Sequence, residues 1–210
     1  MEIRNAEFLK SSAHPKECPP PDFPEYAFIG RSNVGKSSLI NMLANRNKLA
    51  KISGTPGKTQ LINHFVINGV ELPAISEDAW YLVDLPGFGY AKVSKSSRVK
   101  WQRTSEQYLT GRTNLACVLM LLDSRHPPQK VDLEFMAWMG ENGLPFVMVF
   151  TKVDKLNQSE RAEFLPRYET EMLKRWHRVP PVYVTSAEKG DGRDELLRFI
   201  EQTNELYTAV

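Results

Sequence analysis

One stretch of the chain reads Gly30-Arg31-Ser32-Asn33-Val34-Gly35-Lys36-Ser37 and fits the pattern G-x-x-x-x-G-K-S/T. A short apolar run at 26–29 precedes it, and residues 36–45 carry apolar side chains at helical spacing. A glycine-rich loop between a strand and a helix wraps its backbone N–H groups around phosphates, and the start of the helix favours their negative charge. There Lys36 supplies an ammonium for the β- and γ-phosphates, and Ser37 supplies a hydroxyl for Mg²⁺. The stretch therefore predicts a phosphate-binding loop.

A second segment, Thr151-Lys152-Val153-Asp154, follows an apolar run at 145–150. Ligands of open α/β sheets bind at the carboxyl ends of the strands, where this segment is expected to lie. The carboxylate of Asp154 can accept hydrogen bonds from the ring N–H and the exocyclic amine of guanine, whereas adenine presents an acceptor and a C–H. Lys152 can lay its aliphatic stem over the purine. Alone the pattern is weak, but with a phosphate loop it predicts guanine.

A third segment, Asp84-Leu85-Pro86-Gly87, follows the apolar run 80–83. An acid at the end of that strand is placed to hold Mg²⁺, directly or through water. Gly87 leaves room for its N–H to meet a γ-phosphate. Thr59, in a basic loop, has a hydroxyl that completes the metal shell, and it is favoured over Thr55 because it lies next to the strand that begins at Leu61.

The rest of the chain alternates apolar runs with amphipathic stretches. Two strand-like segments at 61–67 and 80–83 predict an antiparallel hairpin with a long tip at 69–78. Helical patterns lie at about 95–110, 129–141, 159–177 and 191–207, with apolar runs at 115–122, 145–150 and 182–184 between them. This alternation indicates an α/β fold with helices on both faces of the sheet. We expect about six strands, mostly parallel, with one antiparallel hairpin edge strand.

Composition and charge narrow the classes of protein. The chain has 210 residues, 41% of them hydrophobic, which suits one domain and excludes a disordered chain. No apolar run reaches the roughly 20 residues of a membrane span. The first seven residues include two acids and no apolar core, so a secretory signal is not expected. Two cysteines, Cys18 and Cys117, make no disulfide framework. A reduced, cytoplasmic protein is expected. The net charge is +2, but 26–70 and 85–105 together hold eleven Lys and Arg and no acid, which favours an anionic ligand or partner.

Four segments together resemble the translation-factor type of GTPase and, more closely, the EngB family (also called YihA or YsxC). They are GRSNVGKSS at 30–38, PGKTQ at 56–60, DLPGFGYA at 84–91 and TKVD at 151–154. The resemblance implies a three-layer P-loop GTPase fold that binds GTP or GDP with Mg²⁺. It also implies a role in assembly of the large ribosomal subunit and in normal cell division and septation. It covers the chain from about Phe23, so we expect an N-terminal extension at 1–22 and a single GTP-binding domain at 23–210.

The predicted site residues fall into five groups along the chain. The resemblance adds the last group, where backbone N–H groups are expected to meet the guanine oxygen. The nucleotide-binding residues are Gly30, Arg31, Ser32, Asn33, Val34, Gly35, Lys36, Ser37 and Ser38; Gly57, Lys58, Thr59, Gln60 and Leu61; Asp84, Leu85, Pro86 and Gly87; Thr151, Lys152, Val153 and Asp154; and Val184, Thr185 and Ser186. The predicted metal ligands are Ser37, Thr59 and Asp84, and the predicted catalytic residues are Lys36, Thr59 and Gly87.

Two residues bear on the rate of hydrolysis. Many small GTPases carry a glutamine after Asp-x-x-Gly that orients the attacking water, but here the residue is Phe88, which either points away and packs or leaves the water unheld. We therefore expect a molecular switch whose slow intrinsic hydrolysis is stimulated by a partner. Asn33 suggests a K⁺ ion near the phosphates, as in some related GTPases; the alternative is a loop asparagine in an unusual backbone conformation.

The basic stretch after the third segment suggests a partner. It contains Lys92, Lys95, Arg98, Lys100 and Arg103, and it is either a contact for ribosomal RNA or a solvated helix face. Two other functions remain open: a nucleotide-gated interaction protein of the division machinery without RNA contact, and an ATP-dependent kinase, against which Asp154 argues. A monomer is expected. Residues 1–22 and the tip at 69–78, which is longer than the family's tight hairpin, receive no role.

Overall fold

The computed structural model describes residues 1–50, 61–69, 78–88 and 95–207, and for 95–98, 100 and 101 it describes the backbone alone. The strands are β1 Ala6–Ser12, β2 Glu25–Gly30, β3 Ile62–Ile67, β4 Trp80–Asp84, β5 Leu115–Asp123, β6 Phe146–Thr151 and β7 Val182–Val184. The helices are α1 Lys36–Leu43, α2 Lys95–Gly111, α3 Lys130–Glu141, α4 Gln158–Met172 and α5 Arg193–Leu206. Single turns of 3₁₀ helix lie at Pro15–Glu17 and Val153–Lys155.

The strands form one sheet in the order β1-β3-β4-β2-β5-β6-β7. Strand β2 is parallel to β4 and β5, and β6 is parallel to β5 and β7. Strand β3 is antiparallel to both of its neighbours, β1 and β4. The carboxyl ends of β2, β4, β5 and β6 therefore meet at one edge of the sheet, and this edge carries the predicted segments.

Alternate side chains of the central strands enter two apolar clusters on opposite faces of the sheet. On β2, Ala27 and Ile29 face the cluster that includes Phe135 of α3, and Phe28 faces the cluster that includes Leu39 of α1. Helices α2, α3 and α4 cover the first face, and α1 and α5 cover the second. The prediction of a mostly parallel sheet between two helical layers is confirmed.

The sheet has seven described strands, whereas the sequence predicted about six. The additional strand is β1, which lies inside the predicted N-terminal extension and pairs with β3 from Ala6↔Ile67 to Ser12↔Ile62. The hairpin strand β3 is consequently not the edge of the sheet, contrary to expectation. The inner residues of β1, from Glu7 to Ser11, are exposed, so the strand lacks the apolar alternation by which a half-buried strand is recognised. The boundary at 22/23 remains a prediction.

A buried polar cluster ties α2 to the sheet at the start of β2. Glu25 is fully buried and accepts hydrogen bonds from Arg112, with Nε at 2.9 Å, and from the hydroxyl of Tyr108. The ring of His64 on β3 lies 3.3 Å from the same carboxylate. Burial raises the pKa of Glu25, but the hydrogen bonds from His64, Arg112 and Tyr108 outweigh it and lower that pKa to about 2. The cluster therefore fixes the carboxyl-terminal end of α2.

Candidate functional site

The phosphate-binding loop runs from the end of β2 to the start of α1, as predicted. Gly35 is the residue before α1 and has φ of 103°, which a residue with a side chain adopts only under strain. Gly30 is needed for another reason, because a Cβ there would lie 2.7 Å from the carbonyl oxygen of Leu121 on β5. Asn33 also has a positive φ, of 61°, as the alternative interpretation of this residue expects.

Lys36 and Asp84 meet at the centre of the site. The ammonium of Lys36 donates a hydrogen bond to the carboxylate of Asp84 and another, of 2.6 Å, to the carbonyl oxygen of Leu85. Both charged side chains are buried. Strand β4 therefore brings the predicted metal ligand to the predicted phosphate ligand.

The oxygen donors present suit Mg²⁺. Asp84 provides a carboxylate, and Ser37, half-buried, follows Lys36 on α1 with a hydroxyl. Mg²⁺ commonly takes one or two protein oxygens and fills its octahedron with phosphate oxygens and water. Across the described ranges, no group of three or more His, Cys, Asp or Glu is arranged to hold a metal.

All four residues of the third segment are described, whereas most of the predicted group at 57–61 is not. Gly87 is buried beside the phosphate loop, since the next N–H, that of Phe88, donates to the Gly30 carbonyl at 3.2 Å and the Ser32 N–H donates to the Phe88 carbonyl at 3.2 Å. Leu61 is described and is exposed, just before β3. Gly57, Lys58, Thr59 and Gln60, together with Thr55, lie outside the described residues.

The ring of Phe88 points into the core. It is 8% exposed and stacks on Phe135 of α3, with ring centroids 4.9 Å apart and an interplanar angle of 28°. Phe135 stacks in turn on Trp138, with centroids 5.4 Å apart. Of the two alternatives for Phe88, the structure shows the packed one.

The phosphate loop is also tied to α3 by a charge pair that the sequence analysis did not find. The Nε of Arg31 lies 3.3 Å from Oδ2 of Asp132, which is 2% exposed. Among the described residues Oδ1 of Asp132 has no hydrogen-bond partner. Burial raises the pKa of Asp132 to about 6, and the charge of Arg31 offsets only part of that rise. No local pattern identifies such a pair, because it joins a loop to a helix about a hundred residues later.

The predicted guanine-binding segment contacts the phosphate loop directly. The hydroxyl of Thr151 donates to the carbonyl of Val34 at 2.5 Å. Lys152 has φ of 62°, and its Nζ donates to the carbonyl of Asn33 at 2.6 Å. The same Nζ lies 2.9 Å from Oδ2 of Asp123, at the end of β5. The sequence analysis missed Asp123, although its position at a strand end is the signal that identified Asp84.

The carboxylate of Asp154 is held by neighbours on two sides. The hydroxyl of Ser186 donates to Oδ1 at 2.6 Å, and Nζ of Lys155 lies 3.1 Å from Oδ2. The hydrogen bond from Ser186, followed by that from Lys155, lowers the pKa of Asp154 below its usual value. Asp154 is therefore a carboxylate at neutral pH, in the form that accepts hydrogen bonds from guanine.

The segment 184–186 adjoins Asp154, but two of its N–H groups are already engaged. The N–H of Thr185 donates to the carbonyl of Phe150 at 2.7 Å, and the N–H of Ser186 donates to the carbonyl of Asp191 at 3.1 Å. The next N–H, that of Ala187, has no protein acceptor among the residues described. The sequence analysis did not include Ala187.

Comparison with known proteins identifies the family. A family model described as a 50S ribosome-binding GTPase matches residues 25–152. A probable GTP-binding protein EngB of Porphyromonas gingivalis is 51% identical over 205 residues, which are 98% of each chain. The chain belongs to the EngB family of GTP-binding proteins. An EngB protein of Bacteroides fragilis is 50% identical over 204 residues, or 97% of each chain. The family resemblance and the GTPase class predicted from the sequence are confirmed.

Solved structures agree with the EngB assignment. The crystal structure of a probable GTP-binding protein EngB superposes with a TM-score of 0.66 at 21% identity, covering 87% of this chain and all of that one, which shows the shared fold. Era, in a complex with MgGDPNP and nucleotides 1506–1542 of 16S ribosomal RNA, superposes with a TM-score of 0.66 at 25% identity, covering 86% of this chain and 56% of Era. None of the helices in the described part of the chain combines the length and apolar character needed to cross a membrane.

Proposed function

We propose that this EngB-family protein is a molecular switch that binds GTP with Mg²⁺, hydrolyses it slowly to GDP and phosphate, and acts in assembly of the large ribosomal subunit. One observation carries the nucleotide site: the 2.6 Å hydrogen bond from Lys152 Nζ to the carbonyl of Asn33. It joins the predicted base-binding segment to the phosphate loop. The base and the phosphates of one guanine nucleotide can therefore bind to adjoining parts of the same surface.

The roles of the residues follow from their chemistry. Lys36 exchanges its hydrogen bond to Asp84 for the β- and γ-phosphates, and Asp84 and Ser37 then hold Mg²⁺ together with Thr59. The metal, when bound, neutralises the charge that develops on the phosphates. Asp154 accepts the two guanine N–H groups. Because the N–H groups of Thr185 and Ser186 are engaged, we assign the donor for the guanine oxygen to Ala187.

Slow hydrolysis is proposed from Phe88. Its ring packs on Phe135 and offers no group to a water molecule. The catalytic contributions proposed for the chain itself are Lys36, the hydroxyl of Thr59 and the N–H of Gly87, and a partner supplies the remainder. Steady-state turnover above about 1 s⁻¹, the low end of ordinary enzyme rates, by the free protein would contradict this proposal.

A K⁺ ion beside Asn33 is also proposed, and the alternative is that the positive φ of Asn33 alone accounts for an asparagine there. Equal hydrolysis rates in matched sodium and potassium buffers would remove it. We further propose a cytoplasmic monomer with reduced thiols. Both cysteines, Cys18 and Cys117, are unpaired, and Cys117 is buried.

The ribosomal role is proposed from the charge pattern and from the proteins similar to this chain. Arg103 is exposed on α2, in the basic stretch whose other members are Lys92, outside the described residues, and Lys95, Arg98 and Lys100, whose side chains are not described. The matching family model is described as ribosome-binding, and Era was solved with ribosomal RNA. Because the basic stretch follows Gly87 in the chain, we propose that its presentation to RNA changes with the bound nucleotide.

Co-sedimentation with large ribosomal subunits and their precursors tests this role. GDP is compared with a non-hydrolysable GTP analogue at low and moderate salt. Binding with the analogue alone, weakened by salt, is expected, because neutralising RNA phosphates releases counterions. Arg103→Gln should lower the affinity and the salt dependence, and Arg167→Gln on α4 is the matched control. Failure to bind particles in either nucleotide state would overturn the ribosomal role and favour a partner in the division machinery.

A further inference from the structure

The ammonium of Lys152 makes two contacts with the protein itself. Its Nζ lies between the carbonyl of Asn33, at 2.6 Å, and Oδ2 of Asp123, at 2.9 Å. These two groups belong to the phosphate loop and to the end of β5. The side chain thus links these two parts of the site, and its Cε lies beside Gly35, where a Cβ would be 3.4 Å from it.

Asp123 is itself fixed on its other side. It is buried, and Arg125 binds its two carboxylate oxygens, with Nε at 2.9 Å from Oδ1 and Nη2 at 2.7 Å from Oδ2. Burial raises the pKa of Asp123, but the hydrogen bonds from Arg125 and Lys152 outweigh it and lower that pKa to about 2. The carboxylate therefore carries its charge over the whole working range of pH and cannot swing away from Lys152 without leaving Arg125.

We propose that Asp123 is a positioning residue for guanine binding, which acts by anchoring Lys152 so that the aliphatic stem of the lysine lies flat against the purine. The inference rests on the proposed role of Lys152 in the base site. A long, freely rotating lysine loses conformational freedom when it is fixed against a ligand, whereas a lysine held in advance loses less. In this proposal Asp123 acts on the base only through the ammonium of Lys152, which its Oδ2 contacts at 2.9 Å.

If the role of Asp123 is purely structural, a different effect of Arg125→Gln on nucleotide binding is expected. Asp123 also shapes the turn after β5, since its Oδ1 accepts from the N–H of Arg125 at 3.2 Å and its carbonyl accepts from the N–H of His126 at 3.1 Å. If the turn alone mattered, Arg125→Gln would be as harmful to nucleotide binding as Asp123→Asn. If the anchoring of Lys152 matters, Arg125→Gln leaves the contact between Asp123 and Lys152 in place, so it should weaken GDP binding clearly less than Asp123→Asn does.

The decisive experiment is a double-mutant cycle on Asp123 and Lys152, with ribose-labelled GDP and GTP as fluorescent probes. Asp123→Asn should weaken both nucleotides about tenfold, the scale of one lost charge-assisted hydrogen bond, and Lys152→Met at least as much. The double variant should bind no more weakly than Lys152→Met alone, because Asp123 has nothing left to position. Losses that multiply in the double variant would overturn the inference.

Three further readouts separate positioning from general damage. Asp123→Asn should raise KM for GTP with kcat within twofold, and it should leave the preference for GTP over ITP unchanged, because the 2-amino group is bound by Asp154. Asp123→Glu, which keeps a carboxylate near Lys152, should recover most of the affinity; if Asp123→Asn does not fold, Asp123→Glu against Arg125→Gln carries the comparison. If Lys152→Met binds GDP normally, the proposed base site is wrong; if it weakens GDP and Asp123→Asn does not, only the present inference is wrong.

Discussion

The ammonium of Lys36 and the carboxylate of Asp84 form a buried ion pair that joins the phosphate loop to the end of β4. The two groups proposed to bind opposite charges of a magnesium nucleotide are thus each other's partners. In the proposed complex, phosphate would take Lys36 and Mg²⁺ would take Asp84, so the two together would replace that pair. Binding of Mg²⁺ and of the terminal phosphates is therefore expected to be strongly coupled.

This coupling is tested by Asp84→Asn. The change removes a metal ligand and at the same time frees Lys36 for phosphate. GDP affinity measured in EDTA should be unchanged or higher, whereas the increase in affinity that Mg²⁺ produces should disappear. Lys36→Met should instead weaken GDP about a hundredfold in both conditions, given the strength of hydrogen bonds to charged groups. Lys48→Met, at an exposed lysine after α1, is the control. A normal response of Asp84→Asn to Mg²⁺ would contradict the metal assignment.

Asp154→Asn should reduce the preference for GTP over ATP by about ten- to a hundredfold, because an amide cannot accept both guanine hydrogen bonds. Competition binding against labelled GDP measures the change. Ser186→Ala removes the hydroxyl that holds Oδ1 at 2.6 Å, so it should weaken GTP modestly while the preference over ATP persists. Unchanged selectivity in Asp154→Asn would refute the assignment of the base site.

Phe88→Ala should destabilise the protein without altering the chemical step. The variant loses a buried ring stacked on Phe135, and truncations of this kind cost about 3–5 kcal/mol of unfolding free energy. Urea denaturation followed by far-UV circular dichroism measures this loss. Single-turnover GTP hydrolysis should stay within about threefold of the parent rate, a change of less than 1 kcal/mol in the barrier. Phe135→Ala, which breaks the same stack from α3, should behave alike, and a large loss of rate in Phe88→Ala alone would show that the ring has a role in hydrolysis.

Asp132→Asn should stabilise the protein relative to the parent, and this gain should be larger at alkaline pH than at acid pH. The pKa of Asp132 is raised from 3.8 to about 6 in the folded protein, so the folded state binds the proton more tightly than the unfolded state. The parent protein therefore loses stability as pH rises through this interval, by about 1–3 kcal/mol, and the loss is complete above pH 6. Asparagine carries no charge to bury, so the gain over the parent should be small at pH 4 and full at pH 8.

Urea titrations at pH 4, 6 and 8 measure this dependence. Asp194→Asn, at an exposed carboxylate at the start of α5, should shift stability by less than about 0.5 kcal/mol at each pH. A pH-independent effect of Asp132→Asn would mean that the carboxyl of Asp132 has an ordinary pKa in the folded protein.

The sequence predicted those parts of the site that depend on short-range backbone geometry. The phosphate loop needs Gly35 at a positive φ and a lysine one residue later, and both requirements are visible in eight consecutive residues. Buried central strands were also recognisable from short stretches of sequence. An uninterrupted apolar run of strand length, such as β6, is typical of a strand that is buried on both faces.

The features that the sequence did not reveal depend on contacts between residues that lie far apart in the chain. Asp123 meets Lys152, and Asp132 meets Arg31, only because the fold brings β5 and α3 to them, and the residues next to each acid in sequence do not identify its partner. Strand β1 was missed because its exposed edge needs no apolar alternation; its place is set by pairing with β3. We proposed Ala187 as the donor for the guanine oxygen because the structure shows that the N–H groups of Thr185 and Ser186 are engaged.

The order in which the chain is synthesised determines when β1 can pair with β3. Translation delivers β1 before β3, its neighbour in the sheet, so Phe8 can pair with Phe65 only after 57 further residues have been made. Until then β1 has no partner strand. Once paired, β1 covers the backbone edge of β3 that would otherwise be open to a second chain. A bulky domain fused ahead of β1 is consequently expected to promote self-association of the newly made protein before it affects nucleotide binding.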